Sequence, residues 1–173
     1  MSFQIDYPET MGAAYPGMLV VKGFVASYSA ETPVRYGAAV ALAEATGDGE
    51  RQCVMIDAAN DTFLGVAIRE HVRQGDLAPL ATKDGDGETF YVPATDTVSV
   101  LRRGQIWVVA DVDLTPSDPV FVVHEGNAGD TTPRGNFAKT IAPNGGVAVA
   151  VPNARYMTTA VAGEVILLEL NLF

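Results

Sequence analysis

Between Val98 and Val123 the sequence runs VSVLRRGQIWVVADVDLTPSDPVFVV. It gathers side chains that could do chemistry: Arg102 and Arg103, Asp111, Asp113 and Asp118, Ser117, and Trp107, the only tryptophan. Asp111 and Asp113 stand two apart, which on a strand places both carboxylates on one face. Such a pair does acid and base work when burial raises the pKa of one member. The neighbouring Val109, Val112 and Leu114 suit an ordinary two-faced strand with a wet side equally well. Ser117 would need a base and an oxyanion donor to become a nucleophile, and the sequence holds no Gly-x-Ser-x-Gly elbow. Pro116 and Pro119 bracket Ser117 and Asp118, the composition of a type I turn, where Ser and Asp satisfy local backbone amides. The stretch reads as a pair of strands and a turn, with Trp107 packed in the core.

The other chemistries fare no better. A phosphate-binding loop needs Gly-x4-Gly-Lys-[Ser/Thr], and the glycine-rich pieces here lack the lysine. His71, His124 and Cys53 lack the spacing of transition-metal ligands. Each histidine reads as an isolated surface residue, and Cys53, inside the apolar run RQCVMI, reads as a buried small hydrophobe. Asp84-Gly85-Asp86-Gly87-Glu88 offers alternating carboxylates but fails the twelve-residue calcium-loop pattern, so an exposed acidic turn is expected. No catalytic residue, no cofactor and no metal follow from these residues, and an enzyme is not expected.

The elements that must carry these residues are strands. Short runs rich in Val, Ile and aromatics recur, among them GMLVVKGFVASY, QCVMIDA, TFLGVAIREH, PVFVVHE and EVILLELNLF. Turn chemistry separates them, at Gly47-Asp48-Gly49, Pro116 to Pro119 and Asn144-Gly145-Gly146. Only AAVALAEAT and GVAIREHVRQG could hold a helix by composition, and neither has a clear N-cap. The pattern predicts an all-β domain of about eight to ten strands, closed as a compact β-barrel or β-sandwich because open edges invite aggregation. Residues 1–32 form an N-terminal arm and first strand, and residues 33–173 a single β-domain. Within the arm, residues 1–17 are apolar but broken by Pro8, Gly12, Pro16 and Gly17, so they have no structure of their own and read as a docking segment. Residues 71–94 and 125–140 are polar and turn-rich and are expected to be long loops or hairpins.

Charge limits the partners. Twenty-one acidic against 11 basic side chains give a net charge of -10. The acids outnumber the bases in both halves, so no hidden basic stripe suits a phosphate backbone, and nucleic-acid binding is not expected. No secretory signal and no run of about 18 apolar residues is present, so a soluble protein with no membrane partner is expected.

With strands and turn laid out, VSVLRRGQIWVVADVDLTPSDPVFV resembles the signature of the tailed-bacteriophage structural cement, or capsid decoration, proteins. RYGAAVAL (Arg35 to Leu42), FLGVAI (Phe63 to Ile68) and VPNARYMTTAVAGEVILLELNL (Val151 to Leu172) are similar to further segments of that family, in the same order. Ser117-Asp118-Pro119 departs from it, standing where the family has Gly-Asp. The resemblance implies a β-tulip-like fold with an extended arm and no enzymatic activity. It implies a virion protein made in the host cytoplasm that binds the capsid exterior and bridges major capsid protein subunits, as a homotrimer. Phe3, Tyr7, Tyr15 and Met18 are the expected anchors of the arm, since aromatic and methionine side chains are enriched at interface cores. A glycan-binding or host-attachment β-domain is the alternative.

Overall fold

The computed structural model describes residues 14–43, 51–69, 82–83, 90–126 and 134–172. In chain order the strands are β1 (Leu19–Lys22), β2 (Val25–Ala30), β3 (Val34–Arg35), β4 (Ala39–Leu42), β5 (Gln52–Met55), β6 (Phe63–Ala67), β7 (Thr82–Lys83) and β8 (Phe90–Val92). They continue with β9 (Thr97–Leu101), β10 (Arg103–Val109), β11 (Phe121–Glu125), β12 (Phe137–Ala138), β13 (Val147–Ala150), β14 (Ala154–Tyr156) and β15 (Val165–Asn171). One 3-10 turn, Pro143–Gly145, is present, and no α-helix occurs among the described residues. The all-β expectation holds, with more and shorter strands than expected. GMLVVKGFVASY, for example, is two strands, because the chain changes sheets at Gly23 and Phe24.

Five strands close a barrel in the order β2-β5-β4-β6-β9. Every pair in it is antiparallel except β2 with β5, which aligns Ser29 with Gln52 and Ala30 with Cys53. The helix-like composition of AAVALAEAT does not prevail in its described part. Ala39 and Ala41 enter one apolar cluster while Val40 enters another, a two-residue period that only a strand supports. One cluster gathers Tyr28, Val40, Cys53, Val98 and Val100 of the barrel with Val34 and Val92 of the small sheet β3-β8-β7. The larger one joins Ala41, Val66 and Leu101 of the barrel to Ile106, Val108, Val122, Phe137, Tyr156, Ile166 and Leu168 of the remaining sheets.

Those sheets are β1-β10-β15-β14 and β12-β11-β13. β10 and β15 pair in antiparallel register from Arg103 with Asn171 to Val109 with Val165. The strands of the opening stretch therefore do not pair with one another. β9 stays in the barrel, β10 crosses to the four-stranded sheet at Arg102, and β11 builds the third sheet. Gly104 permits the crossing: its φ is +134°, and a Cβ there would meet the Val21 carbonyl oxygen at 2.3 Å.

Candidate docking surface

The structure dissolves the apparent active site between Val98 and Val123. β10 ends at Val109, so Asp111 and Asp113 lie beyond the strand on which they were expected to share a face. The cause is a change of partner: the Ala110 amide donates to the Glu164 carbonyl (2.9 Å), and the Ala162 amide donates to Asp113 Oδ1 (3.0 Å). Asp118 Oδ2 accepts from the Thr115 amide (2.7 Å) and its hydroxyl (3.0 Å), while the Asp118 amide donates to the Thr115 carbonyl (3.1 Å). Ser117 and Asp118 thus belong to the expected turn.

Three further residues test the sequence reading. Cys53 is buried, as expected, and burial pushes its thiol up to about 12, away from thiolate chemistry. His124 is not the surface residue expected. It is 4% exposed in β11, at the register shift between Val123 and Glu125, and neither ring nitrogen has a hydrogen-bond partner. Trp107 is not in the core either. Ile106 and Val108 point into the large apolar cluster, so alternation turns the half-buried Trp107 to the opposite face of the sheet. Among the described residues no group of three metal-ligating side chains occurs, and no helix is long and apolar enough to cross a membrane. His71 and the acidic string from Asp84 to Glu88 lie outside the described residues.

What the fold does present is an edge. β1 has one partner among the described strands, β10, and a register shift falls between Leu19 and Val21. Leu19 packs against the core, whereas Val20 and Val21 are 48% and 49% exposed. Tyr15 before the strand and Phe24 after it are 58% and 56% exposed, so one strip of chain shows four large apolar side chains to water. An edge with exposed apolar residues is a template for another chain, and folded proteins usually protect it. Of the expected anchors, Tyr15 is exposed at the start of this strip and Met18 is half-buried within it. Phe3 and Tyr7 lie outside the described residues. Sequence reasoning missed Val20, Val21 and Phe24, although the unalternating LVV run next to Gly23 marks a strand that cannot hide all its apolar residues on one face.

The strip is basic as well as apolar. The Arg69 guanidinium lies 5.1 Å from the centre of the Tyr15 ring, and the Arg69 amide donates to the Gly17 carbonyl (2.8 Å). Gly17 in turn donates its amide to the Trp107 carbonyl (2.8 Å), and Trp107 donates to the Met18 carbonyl (3.0 Å), which ties the start of the strip to β10. At its far end Lys22 stands opposite Gly104. On the outer face of the sheet, Arg155, Glu169 and Gln105 form a row across β14, β15 and β10. Arg155 is ion-paired with Glu169, and Gln105 Nε2 donates to the other carboxylate oxygen (3.3 Å). Arg155 first, then Gln105, hold the Glu169 carboxyl below its ordinary value.

A family model described as structural cement protein (E217 gp24/Pam3 gp6) matches residues 3–171. No curated protein matches the chain. Among solved structures, a chain from the capsid of Myoviridae phage XM1 is similar over 99% of this chain and 98% of its own, at a TM-score of 0.63 and 18% identity. The N base of the head fiber gp8.5 of bacteriophage phi29 is similar over 86% of this chain and 93% of its own, at a TM-score of 0.50 and 15% identity. At these identities the likeness is one of fold.

Proposed function

The chain belongs to the structural cement protein family, and from that premise we propose that it binds the exterior of a bacteriophage capsid and stabilises it by bridging major capsid protein subunits. Family membership makes it a virion structural protein associated with capsid proteins, and a structural rather than a catalytic role suits the dissolved active site. The observation that carries the finer reading is the apolar strip from Tyr15 to Phe24 on a strand edge that no other described strand shares, next in sequence to the N-terminal segment. Phe3, Tyr7, Tyr15 and Met18 anchor that segment on the shell, and a homotrimer multiplies a modest contact, since linked sites raise avidity by roughly 10² to 10⁴.

The test is to mix the protein with capsids stripped of it and to separate bound from free protein. Wild-type protein is expected in the capsid fraction, with a raised capsid melting temperature. Removal of residues 1–13 together with Tyr15→Ala is expected to abolish binding without changing the fold. Wild-type protein that stays out of the capsid fraction overturns the reading. One observation favours the glycan-binding alternative: Trp107 lies off the core, on the same face as Gln105 and Glu169, where an aromatic ring and polar groups could hold a sugar. Retention on a glycan array that is lost on Trp107→Ala would move the reading there.

A further inference from the structure

Among the described residues four buried side-chain nitrogens lack a hydrogen-bond partner: Arg102 Nε, Arg134 Nε and both ring nitrogens of His124. Three of the four stand on two residues, and the backbone brings those two together. The Val123 amide donates to the Asn136 carbonyl (2.9 Å) and the Gly135 amide to the Val123 carbonyl (2.8 Å), so Gly135 and Asn136 both face Val123. A bulge of this kind takes a glycine with positive φ at its first position, and Gly135 has a φ of +79°. The next pair outward along the ladder is His124 with Arg134, at the spacing of opposed residues, about 5 Å between Cβ atoms.

The corner is held from the barrel side. The Ala39 amide donates to the Gly135 carbonyl (3.0 Å), and a Cβ on Gly135 would meet that of Ala38 at 2.9 Å. Arg35 in β3 donates from Nη2 to the Arg134 carbonyl and to Asn136 Oδ1 (3.2 Å). Arginines and an imidazole are thus gathered where β11, the turn into β12 and β3 converge, and no carboxylate of a described residue pairs with Arg134 or His124. In folded proteins a buried donor has an acceptor, whether from the chain, water or an ion, and a buried cation has an anion. His124 is 4% exposed, whereas Arg35, Arg134 and Asn136 are half-buried, so the corner is closed at His124 and reaches the surface on the side of Arg134.

We propose that His124 and Arg134 bind a small oxyanion with two oxygens free to accept, as in phosphate or a carboxylate. Whichever tautomer His124 holds, one ring nitrogen carries a proton to donate. Arg134 Nε supplies the second donor and the charge, and a hydrogen bond between a guanidinium and an anion is about twice as strong as a neutral one. Arg35 is a positioning residue, whose two hydrogen bonds fix the turn that carries Arg134. The ligand is an anion and not a metal ion, because the arginines repel a cation and no group of three metal-ligating side chains occurs among the described residues. The site lies on the third sheet, uses no residue of the Tyr15 to Phe24 strip, and stands whether or not the capsid reading does.

The test uses the two histidines of the chain, His71 and His124, as a probe and its internal control. Inorganic phosphate and acetate are titrated separately into the full chain at fixed pH and ionic strength, against chloride, and the imidazole signals are followed by NMR. Saturable displacement of the His124 signals is expected, with those of His71 unmoved. A response to phosphate alone assigns a phosphate-type ligand, and a response to acetate a carboxylate. Arg134→Gln is expected to weaken binding by roughly tenfold or more, and Arg134→Lys to recover only part of it, since lysine keeps the charge without the planar donors. Melting temperatures close to wild type show that the variants are folded. His124 signals that move with neither anion, signals of both histidines that move alike, or an Arg134→Gln response equal to wild type overturns the inference.

Discussion

The closed barrel and the four-stranded sheet are made of similar short apolar strands, yet they meet water differently. Each barrel strand has two neighbours, and Val40, Cys53, Val66, Val98 and Val100 are buried along it. Among the described residues the sheet ends in two edges, β1 and β14, and bears Val20 and Val21 on one edge strand and Met157 just past the other. Closure satisfies backbone groups and side chains within the chain, and so leaves little for a partner. Among the described residues the open sheet leaves one side of β1 unpaired, and the proposed docking is placed there.

The largest expected effect comes from breaking the barrel. A Cβ on Gly65 would stand 2.3 Å from the Leu101 carbonyl oxygen and 2.7 Å from Val100 Cγ1, so Gly65→Ala has to push β6 off β9. A cost of about 3 kcal/mol is expected, a fall of roughly 6–12 °C in melting temperature for a domain of this size. A near-native melting temperature would show that the barrel is looser than its closed order implies. Next is the tie between the two open sheets. Tyr156 in β14 donates its buried hydroxyl to the Ala138 carbonyl of β12 (2.7 Å), and burial raises its pKa well above the ordinary value. Tyr156→Phe is expected to cost about 1–2 kcal/mol in thermal or denaturant unfolding, since it leaves a buried carbonyl without its partner.

A smaller effect lies on the outer face of the sheet. The Glu169 carboxyl is held below its ordinary value of 4.5, so its contribution is present above that pH and fades as pH falls through the lower folded value. The side chain is partly exposed, and solvent screening reduces the gain to about 0.3 kcal/mol. Glu169→Gln is therefore expected to melt slightly below wild type at pH 7, with the gap closing under acid conditions; a gap that widens on acidification would contradict the assigned cause. The smallest effect on stability belongs to the edge itself. Val20→Thr with Val21→Thr is expected to leave the melting temperature within about 1 °C, because both side chains already face water. The same change is expected to weaken capsid binding, and a large loss of stability would mean that the strip is structural.

Much of the barrel was legible in the sequence because its strands alternate or run apolar between strong turn residues. Cys53 within RQCVMI and the Thr115–Asp118 turn came out as their local composition requires. Tyr15 and Met18 could be singled out by residue type, but only the exposed edge shows which neighbours surround them. Val20 and Val21 escaped notice because a continuous apolar run suits a buried strand as well as an edge strand. His124 was placed on the surface because a lone polar residue usually lies there, whereas the bulge in β11 carries it inward.

The order of residues by itself determined that this chain is all β, where turns such as Thr115–Asp118 and Pro143–Gly146 fall, and that neither a metal cluster nor a nucleophile was to be expected. Those properties follow from local backbone preference and from the residue types present. Only the tertiary structure decided which strands pair, and so which face of each strand is wet. Trp107 shows why: alternation fixes that it opposes Ile106 and Val108, but the packing of β10 on the core decides which of the two sides is inside. The same holds for the charges. Arg103 and Asp111 are eight positions apart in a mixed-charge run, and only the β10–β15 ladder separates them into a basic end and an acidic one.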